Sequence, residues 1–307
     1  MVRPQSPASL RDAEPAIIAR PASHRPRPLA EERPPEAPSV RHRIQRWIQR
    51  THHSFLDRGM PTKVALYYHA MEAHQRPAFM LAVRMLLSEG YTPVASPDEH
   101  LRDPEERTLW ISFDDSYRSW YESRGLFDAL GIRATFYTNS GVFRDRASGE
   151  EIEAYFDRLR FAGERIPLSV AELRALRSDG HVIAAHTHTH PNLGAISPEA
   201  AAEEMRLGRD GLEEVLGESI RHFSYPFGMR RNFPARLLGV AADLGFETVA
   251  RAIPAMQHAP NETASGGGPR LIHRHGWRDD RSLYQNLRDL CTDGRAFERL
   301  TGRSAVG

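Results

Sequence analysis

Three histidines stand at alternate positions in "HVIAAHTHTHPNL", His186, His188 and His190, directly after the apolar run Val182–Ala185. Imidazole suits zinc and similar divalent ions, and a catalytic zinc commonly takes three protein ligands and keeps one position open for water. Upstream, "WISFDDS" ends another apolar run in two carboxylates, Asp114 and Asp115. Adjacent side chains on a strand point in different directions, so one carboxylate can ligate a metal while the other accepts a proton. One Asp with two His makes a three-ligand set. Alternation would put all three histidines on one face, whereas a turn brings positions i and i+4 together, and spacing alone does not choose between them. The bland alternatives are a helix cap for one aspartate and a hydrogen-bonded polar strand end for the imidazoles. Three imidazoles so close together, downstream of a carboxylate pair at an equivalent strand end, favour a metal.

These groups need a frame. From Val64 onward, apolar strand-like runs alternate with amphipathic helices. "KVALYYH", "TLWISFDD", "RATFYTN", "HVIAAH", "RHFSYPFG" and "FETVARAI" read as strands, and "AFMLAVRMLLSEG" as a helix closed by Gly90. In "PLSVAELRALRSDG", Ser169 and Glu172 predict a capping box and Gly180 a stop. Ser197 and Pro198 open a further helix that ends at Gly217. Repeated β–α alternation is the signature of a parallel sheet or an α/β barrel with helices outside. In such folds functional groups collect at the C-terminal ends of strands. His69, Asp114, Asp115, Asn139, His186 and Tyr225 all close apolar runs.

The motifs resemble those of the polysaccharide deacetylase family, also called the NodB-homology or carbohydrate esterase family 4 domain. "SFDDS" matches its T-F-D-D-G, "HTHTH" its H-[ST]-x-x-H, and "SYPFG" its Y-P-[YF]-G. The resemblance spans about Val64 to Trp277. It implies a distorted (β/α) barrel of about seven parallel strands, with a C-terminal helix in a catalytic domain running from 60 to 307. It further implies that Asp115, His186 and His190 hold a divalent metal, zinc foremost, with His188 left over, and that Asp114 is the general base. Tyr225 and Phe227 would contribute near the oxyanion through backbone N–H. The substrate implied is an N-acetylated carbohydrate. Ser116 departs from the family's glycine, and Ser224 stands where many members carry the arginine that orients the base; Arg270 would supply that charge from another strand. The family's final L-x-H fits Leu271-Ile272-His273 and makes His273 the leaving-group acid, although His275 shares its face by alternation. Phe227, Trp277 and Tyr137 are aromatic platforms for sugar faces or ordinary packing.

Composition bounds the alternatives. With 41 Lys and Arg against 40 Asp and Glu, the net charge of +1 argues against a nucleic-acid or anionic-membrane partner. No apolar run approaches a membrane span. Cys291 is the single cysteine, which excludes a disulfide framework and a cysteine metal cage. Residues 1–59, rich in Pro, Arg and Glu, read as a disordered segment, with helical spacing at Val40, Ile44, Trp47 and Ile48. That segment has no signal-peptide pattern, which favours the cytoplasm. Met60 is an alternative initiator. The oligomeric state is not legible. Two other functions remain: hydrolysis of a non-sugar amide or imide bond at the same site, and a non-catalytic glycan-binding barrel.

Overall fold

The computed structural model describes residues 60–159, 163–253, 268–278 and 280–291. The expectations for residues 1–59 lie outside the described residues.

The strands are β1 (Lys63–Tyr68), β2 (Thr92–Val94), β3 (Thr108–Asp114), β4 (Thr135–Thr138), β5 (Val182–Ala185), β6 (His222–Ser224), β7 (Thr248–Arg251), β8 (Arg270–His273) and β9 (His275–Gly276). The helices are α1 (Arg76–Ser88), α2 (Pro97–Arg102), α3 (Ser119–Glu122), α4 (Arg124–Ala129), α5 (Gly149–Leu159), α6 (Val170–Ser178), α7 (Pro198–Leu216), α8 (Leu237–Asp243) and α9 (Leu283–Asp289). All strand pairs are parallel, in the order β8-β7-β6-β5-β4-β3-β1-β9, with β2 on β3. Only Arg274 separates β8 from β9. The last strand therefore pairs with β7 before Arg274 and with β1 after it, and the sheet rolls into a nearly closed barrel. Counting β8 and β9 as one gives eight strands, one more than the "about seven" read from sequence. The extra one is β2, whose Pro93 is tolerated because β2 pairs on one side only.

Period-two alternation sorts each strand into two faces. Ala65, Trp110, Tyr137, Ala184, Ala250 and Ile272 fill the barrel interior. Leu66, Ile111, Phe113, Phe136, Ile183, Val249 and Leu271 face the larger core beneath the helices. α1 buries Phe79, Ala82, Val83 and Leu86, and α7 buries Ala201, Met205, Leu212 and Val215. Helix ends follow their capping chemistry. Ser169 and Glu172 make the reciprocal capping box of α6. The Ser197 hydroxyl accepts from Ala200 N–H at the start of α7, and Gly217 takes the left-handed cap at φ 70°. No helix among the described residues is long and apolar enough to cross a membrane.

Candidate active site

β3 and β5 deliver the chemistry to one end of the barrel. Asp114 is the last residue of β3, and its alternation with Trp110 and Ser112 turns it inward. Asp115 leaves the strand at φ 83° and Ser116 at φ 57°. Beyond β5, Thr187 at φ 69° and His190 at φ 65° break the extension of "HTHTH" into a turn. The left-handed region is costly for side chains with a Cβ. Those four and Phe227 at φ 65° are the only non-glycine residues there among the described residues. Strain is concentrated in the segments that carry the functional groups.

The turn decides which histidines meet the carboxylate. Asp115 Oδ1 lies 3.2 Å from His186 Nε2 and 3.1 Å from His190 Nε2, and the three residues are buried. His188 points elsewhere, with its Nδ1 2.8 Å from Ser140 Oγ. The His186 Nδ1 contact with the Ser224 carbonyl, 2.7 Å, requires a proton on Nδ1, because a carbonyl only accepts. Neutral His186 therefore turns a bare Nε2 lone pair toward the Asp115 oxygen, which is buried without a hydrogen-bond partner. Three ligand atoms within 4.8 Å of one another then converge, and a cation between them would relieve their repulsion. The donor set fits a divalent metal.

Asp114 belongs to a different network. Arg274 Nη1 and Nη2 donate to its two oxygens at 2.7 and 2.8 Å. The same guanidinium donates to Ser112 Oγ at 2.9 Å and Ser224 Oγ at 2.7 Å. It lies between the rings of Tyr67 and Tyr137, 4.9 Å from each centroid. A fork-to-fork pair fixes both charge and orientation. This corrects the assignment of Arg270, which instead pairs with Asp98. Ser224 is the counterpart of the correction: with a short hydroxyl there, the charge arrives from the last strand, at the residue where the barrel closes. The sequence does carry the signal, since alternation in "RLIHRH" puts Arg270, Ile272 and Arg274 on one face.

The same alternation turns His273 away from the cleft. Ile272 sits opposite Ala250 inside the barrel, Leu271 opposite Val249 in the outer core, and His273 one step further opposite Arg251. His275 pairs with outward-facing Leu66. The imidazole at the cleft is His69, just past β1, half exposed, with Nε2 3.8 Å from Asp115 Oδ2. Tyr225 is buried; its hydroxyl donates to the Gly228 carbonyl at 3.0 Å and its ring stacks on Phe233 at 4.6 Å. It shapes the turn rather than the cleft. Phe227 is 47% exposed and packs edge-on against His190 at 5.1 Å. Tyr137 is fully buried against Arg274 and Trp110, which excludes it as a sugar platform. The cleft over Asp114, Asp115, His186 and His190 shares His69 and Phe227 with a groove that continues past Met229 and Gly276 to Trp277 and Arg278.

A barrel of parallel strands with paired Asp and paired His at its mouth defines a class, and known proteins share parts of it. Residues 101–249 match the polysaccharide deacetylase family model. The chain thus carries a polysaccharide deacetylase domain match over just under half of its length. It is 27% identical over 129 residues to the chitooligosaccharide deacetylase of Azorhizobium caulinodans, covering 39% of this chain and 58% of that protein. The chain spans about half the length of the curated relatives it matches. Among solved structures, it resembles the deacetylase PplD of Streptococcus pyogenes in complex with acetate, with a TM-score of 0.56, 20% identity, and coverage of 75% and 99% of the two chains. A polysaccharide deacetylase from Bacillus cereus gives a TM-score of 0.58 at 17% identity, covering 74% of this chain and 69% of that one. At these identities the likeness shows the fold. His69 and Arg274 both lie outside the matched range.

Proposed function

We propose that this chain is a metal-dependent hydrolase that removes the acetyl group from an N-acetylated sugar within an oligosaccharide, a polysaccharide or a glycan precursor. The catalytic unit is assigned to the chain from Met60 onward. One observation supports the reading: three metal-ligand atoms converge, with Asp115 Oδ1 buried and making no hydrogen bond, beside a carboxylate that a buried arginine holds in place. The donor set of one carboxylate and two imidazoles suits zinc. A divalent ion there would polarise the acetamide carbonyl and supply a nucleophile at neutral pH.

The chain's own residues do the rest. Asp114, with both oxygens held by Arg274, keeps its charge and its direction as it takes a proton from the attacking water. The backbone N–H at Phe227, which lines the cleft, would stabilise the developing oxyanion. His69, at the edge of the cleft, protonates the departing amine in place of His273. The open groove from Phe227 to Trp277 offers aromatic faces to a sugar chain. The discriminating experiment measures acetate released from N-acetylglucosamine oligomers and from simple amides, with added zinc and with chelator. Zinc-dependent release that favours the oligomers supports the assignment. Preference for a small amide or imide moves the chemistry off sugars, and no release from any substrate leaves a binding barrel.

A further inference from the structure

Two strained segments must be held in register for the metal ligands to meet, and neither holds itself. Asp115 and Ser116 leave β3 with positive φ, and Thr187 and His190 do so beyond β5. Such backbone persists only where its surroundings over-determine it. Between the two segments, at the end of β4, stands Asn139, fully buried, which no motif of the site includes. Its Nδ2 donates to the His186 carbonyl and lies 3.4 Å from both the carbonyl and the hydroxyl of Thr187. Its backbone N–H donates to Ser116 Oγ at 2.7 Å. Its Oδ1 lies 2.9 Å from the hydroxyl of Tyr155, a fully buried residue of α5. That hydroxyl is also 2.7 Å from the Asp115 carbonyl, so one proton is shared between the two acceptors. The amide can point only one way. Reversed, it would set Oδ1 against the His186 carbonyl, two acceptors with no proton between them.

We infer that Asn139 and Tyr155 form a clamp that fixes the Asp115 segment against the His186–His190 turn, and so presets the geometry of the metal site. Both are positioning residues. Tyr155 holds the Asp115 main chain, Asn139 holds His186 and Thr187, and the Thr187 hydroxyl accepts from His190 N–H at 3.1 Å. The chain of contacts thus reaches all three ligand-bearing residues without touching a ligand atom. The Tyr155 ring also packs edge-on against His190, with centroids 6.2 Å apart, so the hydroxyl can be removed while the packing stays. A full clamp around a preset site is worth more than its separate bonds, because buried polar networks fix a single geometry.

The inference rests on the reading of Asp115, His186 and His190 as ligands, and its test reads metal rather than turnover. Zinc affinity, by competition with a chromogenic chelator, and the visible absorption of the cobalt-loaded protein are compared for wild type, Asn139→Ala, Tyr155→Phe and His188→Ala. Supporting partners of a metal site typically cost about 10–100-fold in affinity when removed. Asn139→Ala is expected to weaken zinc binding by about that factor and to change the cobalt spectrum. Tyr155→Phe should do so to a smaller degree, and His188→Ala should do neither. A merely structural role would lower the melting temperature and leave the spectrum of the folded protein alone. Wild-type affinity and spectrum in a folded Asn139→Ala protein would overturn the clamp. If Asn139→Ala does not fold, Tyr155→Phe decides by the same two readouts. A wild-type protein that binds no zinc would refute the metal reading itself, and the clamp with it.

Discussion

Asp114 and Asp115 are neighbours in sequence with separate tasks, and what separates them is the company each keeps. Asp114 faces a guanidinium through two oxygens, while Asp115 faces two imidazole nitrogens through one. Asp114→Asn should therefore leave zinc content near wild type and lower turnover by roughly 10²–10⁴-fold, as for a lost general base. It also leaves Arg274 buried without its counter-charge, so metal analysis belongs on the folded fraction after gel filtration. Zinc lost in step with activity would mean that the two carboxylates have exchanged roles. His69 is tested through the leaving group. An amine must be protonated to depart, whereas an activated phenol leaves as its anion. His69→Ala should lose most of its rate on an N-acetylated sugar and keep it on an aryl acetate. Equal loss on both substrates would remove His69 from proton transfer.

At the scale of elements, legibility followed periodicity. The strands that close on Asp114, His186 and Ser224 declare themselves by apolar runs, and α6 by Ser169 and Glu172, because capping boxes and buried strands are local properties. Strand β2 was missed because three residues containing Pro93 offer no period to read. Spacing could not show which histidines meet Asp115, since the left-handed turn at Thr187 and His190 cancels the strand alternation and has no glycine to announce it; the family resemblance alone picked out His186 and His190. His273 was chosen by motif, and the inward phase of Ile272 and Arg274 shows why that choice failed. One imidazole serves the frame alone. His181, at the entry to β5, accepts from Ala134 N–H at 3.0 Å, and burial, reinforced by Arg133, pulls it down to about 4. An unfolded imidazole titrates near 6.5. Between these values the unfolded chain binds a proton that the folded chain refuses, so stability is full above about 6.5 and falls as the pH drops toward 4. The loss from this group should be about 2 kcal/mol at pH 5. His100, buried and pulled down to about 3, acts with the same sign. His181→Asn keeps an acceptor for Ala134, and urea denaturation at pH 7 and pH 5 should show less acid sensitivity than wild type by about that amount. Identical sensitivity in the two proteins would contradict it.

For the whole molecule, barrel closure and the candidate site share a residue. Arg274 is both the residue at which the last strand passes from β7 to β1 and the residue that holds Asp114. Asp115 and the two histidines come from β3 and β5, and Asn139 from β4 between them. The site therefore exists only once distant segments of the chain have paired, while its cleft stays open along a groove toward Trp277. A metal at Asp115, His186 and His190 that drives the release of acetate from a sugar would tie turnover to zinc content. The most direct measurement titrates zinc into chelator-stripped protein and follows acetate release from an N-acetylglucosamine oligomer at each step, for wild type, His188→Ala and His186→Ala. Turnover should rise from zero in proportion to zinc and level at one ion per chain for wild type and His188→Ala, with His186→Ala flat throughout. Acetate released at full rate by the stripped protein, or a His186→Ala protein that titrates like wild type, would contradict it.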